Sequence, residues 1–262
     1  DFFISFICWI KISFFILVDG YLFSLNLWYI KAIIPFLVLK FVKSNAKDLL
    51  IDNKSSINTK VMNFLSIDCS TDAGFLFIKI KNKSFSKLLQ SDKSLNDLLM
   101  MKILDFFKEN NIKFDEIQEI FVNQGPGNFS GLRGSLATAK GISISKKINL
   151  LGYDNFIFSC SNFFNKQDNI YSLIKFRDKY FMKNFDKNLK DLSGVKEISL
   201  DEILHKYENK FKVIASNVLN QFDKRILKLN NLNIVDLNYN NLEFLKTKRL
   251  LNKELIRPIY LN

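Results

Sequence analysis

"EIFVNQGPGNFSGLRGSLATAKGISISKK", residues 119–147, decides how the rest of the chain is read. It opens on a short apolar run with strand character, breaks at a glycine-rich loop and closes on a helical pattern, predicted from Ser130 to Lys147. Residues 123–135 hold four of the nine glycines and one of the three prolines. Pro126 biases Gln124 and Gly125 towards extended backbone, the glycines permit positive φ, and Ser130 is placed to cap the helix. Two phosphate-binding templates fail here. No Gly-Lys-Ser/Thr closes a P-loop, and after Gly125-x-Gly127 a serine, Ser130, stands where a dinucleotide fingerprint needs its third glycine. Gly134 and Gly141 lie inside the predicted helix, where each costs about 1 kcal/mol relative to alanine. With Ala137, Thr138, Ser143 and Ser145 they give the helix a face of little bulk, which admits a neighbouring backbone or helix.

Upstream, "MNFLSIDCST" reads as a buried strand ending in a polar turn, "GFLFIKIK" as a second strand and "SFSKLLQ" as a third. A helix follows over "DKSLNDLLMMKILDFFKENN", with Leu95, Leu98, Leu99, Ile103, Phe106 and Phe107 on one face. Nine of the thirteen residues from Leu95 to Phe107 are apolar, and Met100, Met101 and Leu104 fall off the main stripe. A helix on one sheet needs a stripe only somewhat over 100° wide. The excess fits either a deeply buried helix or a subunit interface with adaptable Met contacts. Downstream, "NLLGYDN" is one more strand, "NIYSLIKFR" and "KYFMKNFD" a hairpin around Asp178, "SLDEILHKY" a helix with a Ser199–Glu202 capping box, and "FKVIAS" a strand. "NLEFLKTKRLL" is a last helix before "RPIYLN". The order β-β-β-α-β-α-β predicts an α/β domain that starts as a meander and continues with parallel crossovers.

Composition bounds the chemistry. The 262 residues are 48% hydrophobic and 24% charged, as in a globular chain. The net charge of +12 does not by itself mark a nucleic-acid binder, since only five of the 38 basic residues are Arg and the lysines are interspersed with acids. Cys8, Cys69 and Cys160 lack metal-type spacing and fit reduced thiols in a cytoplasmic protein. His205 is the only histidine, so no histidine cluster, dyad or HExxH site can be assembled. Residues 1–61 are far more apolar than the remainder and hold both tryptophans. Lys11, Asp19 and Lys31 interrupt every window of the ~20 residues needed to span a bilayer. No Met precedes Met62, and the segment is read as translation upstream of a start at Met62, with a membrane anchor as the alternative. From 62 to 262 there are 31 basic and 22 acidic residues, a net charge of +9.

"MNFLSIDCST", followed some 60 residues later by "GPGNFSGLRGSLATAKGI", resembles the TsaB (YeaZ) family, whose signature runs GPGSFTGLRIGLATAKGLA. Asn128 and Ser130 replace its Ser and Thr, Gly134-Ser135 stand for Ile-Gly, and "RPIYLN" is similar to the family's P-x-Y-L-R ending. The signature loop comprises Gly125, Pro126, Gly127, Phe129, Ser130 and Arg133. The resemblance implies an actin-like fold (sugar kinase/Hsp70/actin superfamily) of two related subdomains. Residues 62–165 are assigned to the first, and 166–262 to a smaller, degenerate second whose C-terminal helix returns to the first. It further implies a role in making threonylcarbamoyladenosine beside the anticodon of tRNAs reading A-starting codons. There a TsaB-like chain is a non-catalytic activator of the TsaD-type transferase, assisted by a TsaE-type ATPase. The TsaD family carries HxxxH soon after its own GPG segment, and the equivalent "GYDNFIFSCSNFF" has no histidine.

On this resemblance the partner interface is assigned to Leu95, Leu98, Leu99, Met100, Ile103, Phe107, Gly131, Leu132, Gly134, Ala137, Thr138 and Gly141. No catalytic residue, metal or cofactor is expected, a homodimer through the same helices is plausible, and tRNA is met only through the complex. Asp68 and Ser70 stand where relatives of the superfamily hold Mg²⁺ and phosphate, and are read as a vestigial nucleotide site. The alternatives are a nucleotide-binding ATPase or kinase using Asp68, and a glycoprotease-like peptidase.

Overall fold

The strand alternation predicted at the start of the meander sorts the apolar side chains of one sheet onto two different cores. The computed structural model describes residues 62–89, 95–254 and 256–261; the apolar segment 1–61, with its upstream-translation and anchor readings, lies outside the described residues. β1 (Phe64–Asp68), β2 (Gly74–Ile80) and β3 (Lys83–Leu89) form the expected antiparallel meander. Helix α1 (Leu95–Glu109) leads to β4 (Glu119–Asn123), and helix α2 (Phe129–Lys146) leads to β5 (Asn149–Tyr153). β4 and β5 add in parallel, giving the order β3-β2-β1-β4-β5. Central β1 is buried along its whole length, as a strand covered on both faces must be.

Leu65, Ile67, Leu76, Ile78, Ile120 and Val122 point to one face, where Leu99, Ile103, Leu136, Ala139 and Ile142 of α1 and α2 cover them. Phe64, Phe77, Phe121 and Tyr153 point to the other face, into a second and more aromatic core. That core is shared with a second sheet.

The second sheet repeats the first. β6 (Ile170–Phe176), β7 (Lys179–Phe185) and β8 (Asp191–Ile198) form a meander. Helix α4 (Leu200–His205), numbered after α3 (Asn155–Cys160), then leads to β9 (Lys212–Ala215) and on to β10 (Leu232–Val235). The order is β10-β9-β6-β7-β8, the same topology traced twice along one chain. This is the actin-like plan of paired subdomains. The second copy is reduced: α4 has only six residues, and short 3₁₀ turns at Ser216–Gln221 and Ile226–Lys228 occupy its second crossover. Both sheets belong to one compact unit, Val61–Asn262.

β8, β10 and α3 are the elements missing from the predicted series. The hairpin at Arg177–Asp178 and the Ser199–Glu202 capping box lie where the pattern puts them. The last helix, α5 (Asn241–Thr247), reaches the first sheet. Glu243 pairs with Lys79 of β2, and Lys246 with Glu119 of β4 at 2.5 Å. Beyond it, Ile259 N–H donates to the Gln124 carbonyl at 2.7 Å, clipping the closing segment beside the glycine loop. Among the described residues no helix is long and apolar enough to cross a membrane.

Candidate functional site

Parallel pairing brings the C-terminal ends of β1, β4 and β5 to one edge, so Asp68, Asn123 and Tyr153 meet there. Asp68 is buried, and both of its oxygens are engaged. Oδ1 accepts from the Ser70 amide at 3.0 Å and the Ser70 hydroxyl at 2.8 Å. Oδ2 accepts from Asn123 Nδ2 at 2.8 Å, Tyr239 OH at 2.9 Å and Tyr153 OH at 3.4 Å. Burial, then the Asp68 charge, hold the Tyr153 and Tyr239 hydroxyls well above their ordinary value. The same two causes push the Cys69 thiol up to about 12. A carboxylate that takes five donors from its own chain has little capacity left for a cation or for general-base work. Asp68 and Ser70 therefore sit as the knot of a structural network. Tyr239, which ties the second half of the chain into it, has no local sequence signal.

The glycine loop wraps this knot. Gly125 has φ +97°, in the left-handed region, and the Gly125–Pro126 bond is cis. A Cβ on Gly127 would stand 1.9 Å from the Ser70 carbonyl oxygen, and one on Gly131 would stand 2.3 Å from that of Cys69. These two glycines let the loop and the first turn of α2 lie directly on the β1–β2 turn. The cap differs from the expectation. Asn128, not Ser130, is the N-cap, its side chain accepting from Gly131 N–H at 3.0 Å. Asn128 is held by its own N–H to the Ser70 carbonyl at 2.7 Å, which starts the helix one residue earlier and leaves Ser130 exposed inside it.

The residues assigned to a partner interface separate into two groups. Leu99, Ile103, Phe107 and Leu132 are buried in the chain's own core, and Gly131 is occupied against Cys69. For these five the expected outward role is corrected, because packing on the sheet leaves them no free surface. Leu98 and Met100 are 37% and 39% exposed; Ala137 and Gly141 are exposed, and Gly134 and Thr138 half-buried. A Cβ at Gly141 would meet nothing within 4 Å. Leu95 lies in α1, with its side chain outside the described residues. The face also includes Met101 at 60%, Leu104 at 46% and Ile144 at 79% exposure. Ile144 follows Ala137 and Gly141 at helical spacing, and its bulk sets it apart from the small residues of that face.

Besides Ser130, two signature residues project outward. Phe129 is 51% exposed, packs on Tyr260 with ring centroids 5.2 Å apart, and carries the Arg133 guanidinium over its ring at 5.1 Å. Beside them a cleft of about 650 Å³ runs from Ser70–Asp72 and the loop 126–130 to Lys175 and Arg177 of the second sheet. Among the described residues no group of His, Cys, Asp and Glu is placed to hold a metal ion.

Comparison with known proteins converges with the signature. The family profile described as "TsaD: tRNA N6-adenosine threonylcarbamoyltransferase" matches residues 90–169, the span from α1 to the end of α3 and its flanks. That span contains no histidine. A protein from Buchnera aphidicola subsp. Baizongia pistaciae, described as tRNA threonylcarbamoyladenosine biosynthesis protein TsaB, is 31% identical over 80 residues. The alignment covers 30% of this chain and 36% of that relative. In structure, YeaZ from Pseudomonas aeruginosa superposes with a TM-score of 0.55 at 14% identity, over 76% of this chain and all of its own. A second solved structure, described as an uncharacterized protein with similarity to peptidase YeaZ from Pseudomonas aeruginosa, gives 0.56 at 14% identity, over 77% and 100%. Signature, sequence relative and fold thus point the same way: residues within this chain are similar to TsaB over an 80-residue stretch, and its fold is similar to that of YeaZ.

Proposed function

We propose that the protein serves threonylcarbamoyladenosine formation on tRNA as a non-catalytic subunit that docks and activates a TsaD-type transferase. The observation that carries this is the outward face of α1 and α2. Leu98, Met101 and Leu104 of α1 and Ala137, Gly141 and Ile144 of α2, two helices packed on one another, are exposed with no covering element from the described residues. Large flexible side chains next to a low-bulk groove suit close helix–helix contact with a partner bearing a matching pair. The engaged oxygens of Asp68 and the absence of a second histidine support an activating rather than a catalytic part. In this reading the protein works in the cytoplasm, a TsaE-type ATPase joins the assembly, and a second copy of the chain can occupy the same face when the transferase is absent.

Copurification with the TsaD-type transferase of the same organism tests the assignment. Met101→Asp places a charge in the contact and should abolish the complex. Gly141→Leu fills open space, so it should raise the stability of the free chain by up to ~1 kcal/mol through helix propensity while blocking the partner. If both folded variants still copurify at the wild-type level, the docking face is elsewhere.

A further inference from the structure

The chain uses lysine almost everywhere it needs a cation, 33 times against five arginines. Where the five guanidinium groups sit is therefore informative. Arg225 is held bidentate by its neighbour Asp223. Arg133, Arg177, Arg249 and Arg257 make no ion pair among the described residues, and all four are exposed. The fold gathers them around the closing segment 256–261. On one side of it lies a cavity of about 570 Å³, walled by Phe129, Phe176, Arg177 and Tyr260. On the other lies one of about 610 Å³, lined by Arg249, Lys253 and Arg257, with Ile259 common to both.

The first cavity alternates rings and guanidinium groups. Arg133 lies over Phe129, which packs on Tyr260; across the cavity Arg177 lies over Phe176 at 5.4 Å. Tyr260 is 49% and Phe129 51% exposed, so part of each ring is open to a flat guest at the edge of the pair. Acidic groups are present but do not cancel the field. Asp178 lies at the rim of the first cavity and Glu254 at the second, while Lys179 is taken up by Glu197 at 2.9 Å. Aromatic faces spaced by guanidinium groups are the chemistry that holds unpaired nucleotides, bases by stacking and phosphates by charge. A duplex would present no free base faces, so a single strand is the nucleic acid that can use both the rings and the arginines.

We infer that this face binds a single-stranded stretch of RNA, bases against Phe129 and Tyr260 and phosphates along Arg133, Arg177 and Arg257. The inference takes the identity of the RNA, an unpaired tRNA loop, from the function proposed above. It replaces the expectation that this chain meets tRNA only through its partner. It also gives Phe129 and Arg133, two signature residues that the fold leaves exposed, a role separate from the α1–α2 face.

Fluorescence anisotropy of the full chain at low salt, with a short labelled single-stranded RNA, an unmodified tRNA transcript and an RNA duplex as probes, tests it. Single strand and transcript should bind more tightly than duplex. The Phe129→Ala/Tyr260→Ala and Arg133→Ala/Arg177→Ala pairs should each weaken binding by about tenfold or more, and the arginine pair should also flatten the salt dependence. Thermal melting checks that each pair is folded, and the arginine pair, on α2 and the β6–β7 turn, stands alone if the aromatic pair is not. Wild-type binding no tighter to single strand than to duplex, or wild-type-like binding by the folded arginine pair, overturns the proposal. So does a variant pair that keeps RNA affinity but loses the transferase, which makes the face a protein contact. Met101→Asp should leave RNA binding intact, so failure here and failure of the docking assignment are distinguishable.

Discussion

Asp68, at the end of β1, has both carboxylate oxygens tied into the fold. Its five hydrogen bonds come from four residues, Ser70, Asn123, Tyr153 and Tyr239, the last 171 positions away. Removing the carboxylate leaves three buried hydroxyl or amide donors short of an acceptor, each at a cost of about 1–3 kcal/mol. Asp68→Ala should therefore lower stability by several times what Tyr239→Phe does, which removes one donor and should cost ~1 kcal/mol. Urea unfolding of both variants checks the ratio, and an Asp68→Ala chain as stable as wild type would dispose of the network. The sequence showed that an acidic residue and a hydroxyl close the first strand. It could not show that Tyr239 would arrive there, because that meeting depends on how both sheets pack.

Among the elements, legibility followed burial pattern. β1, β2 and β4 announce themselves as apolar runs bounded by polar turns, and α1 by its period. β8 is exposed at seven of its eight positions and contains Gly194, so it lacks the apolar alternation that marks a strand; it is an edge, held by its pairing with β7. β10 offers only four residues. Five of the six residues of α3 are buried, and an apolar run that short cannot be told from a strand by period. The face proposed for docking was half legible. Excess apolarity on α1 was visible, but separating its inward residues from its outward ones needed the sheet. The element whose chemistry is most exposed to test is α5. Lys246 is the cation paired with Glu119, a buried side chain whose second oxygen has no partner among the described residues. Lys246→Met should cost about 2–3 kcal/mol by stranding that charge. Adding Glu119→Gln should recover much of the loss, and thermal melts of the single and double variants measure the coupling.

At the scale of the whole molecule, several protons are locked in by folding. The Tyr153 and Tyr239 hydroxyls are held well above 10.0, and the Cys69 and Cys160 thiols are pushed from 9.0 to about 12, in every case chiefly by burial. The unfolded chain releases these protons first, so between about pH 9 and 12 the folded state binds more of them and stability falls as pH rises. Lys212, whose ammonium is pushed down by burial, works in the opposite direction. It is one group against those four, and Tyr171 and Lys183, also raised, act with the four. The urea midpoint should drop between pH 8 and pH 11, and Tyr153→Phe with Tyr239→Phe should flatten that slope while lowering stability at neutral pH. A midpoint that holds steady to pH 11 would contradict it.

The crossing of α5 and the closing segment onto the first sheet also has a consequence in time. Glu243, Lys246 and Ile259 leave the ribosome long after β2, β4 and the glycine loop, whose contacts they complete. The first half cannot finish before they emerge. It must wait with its aromatic face uncovered until the second half has been made.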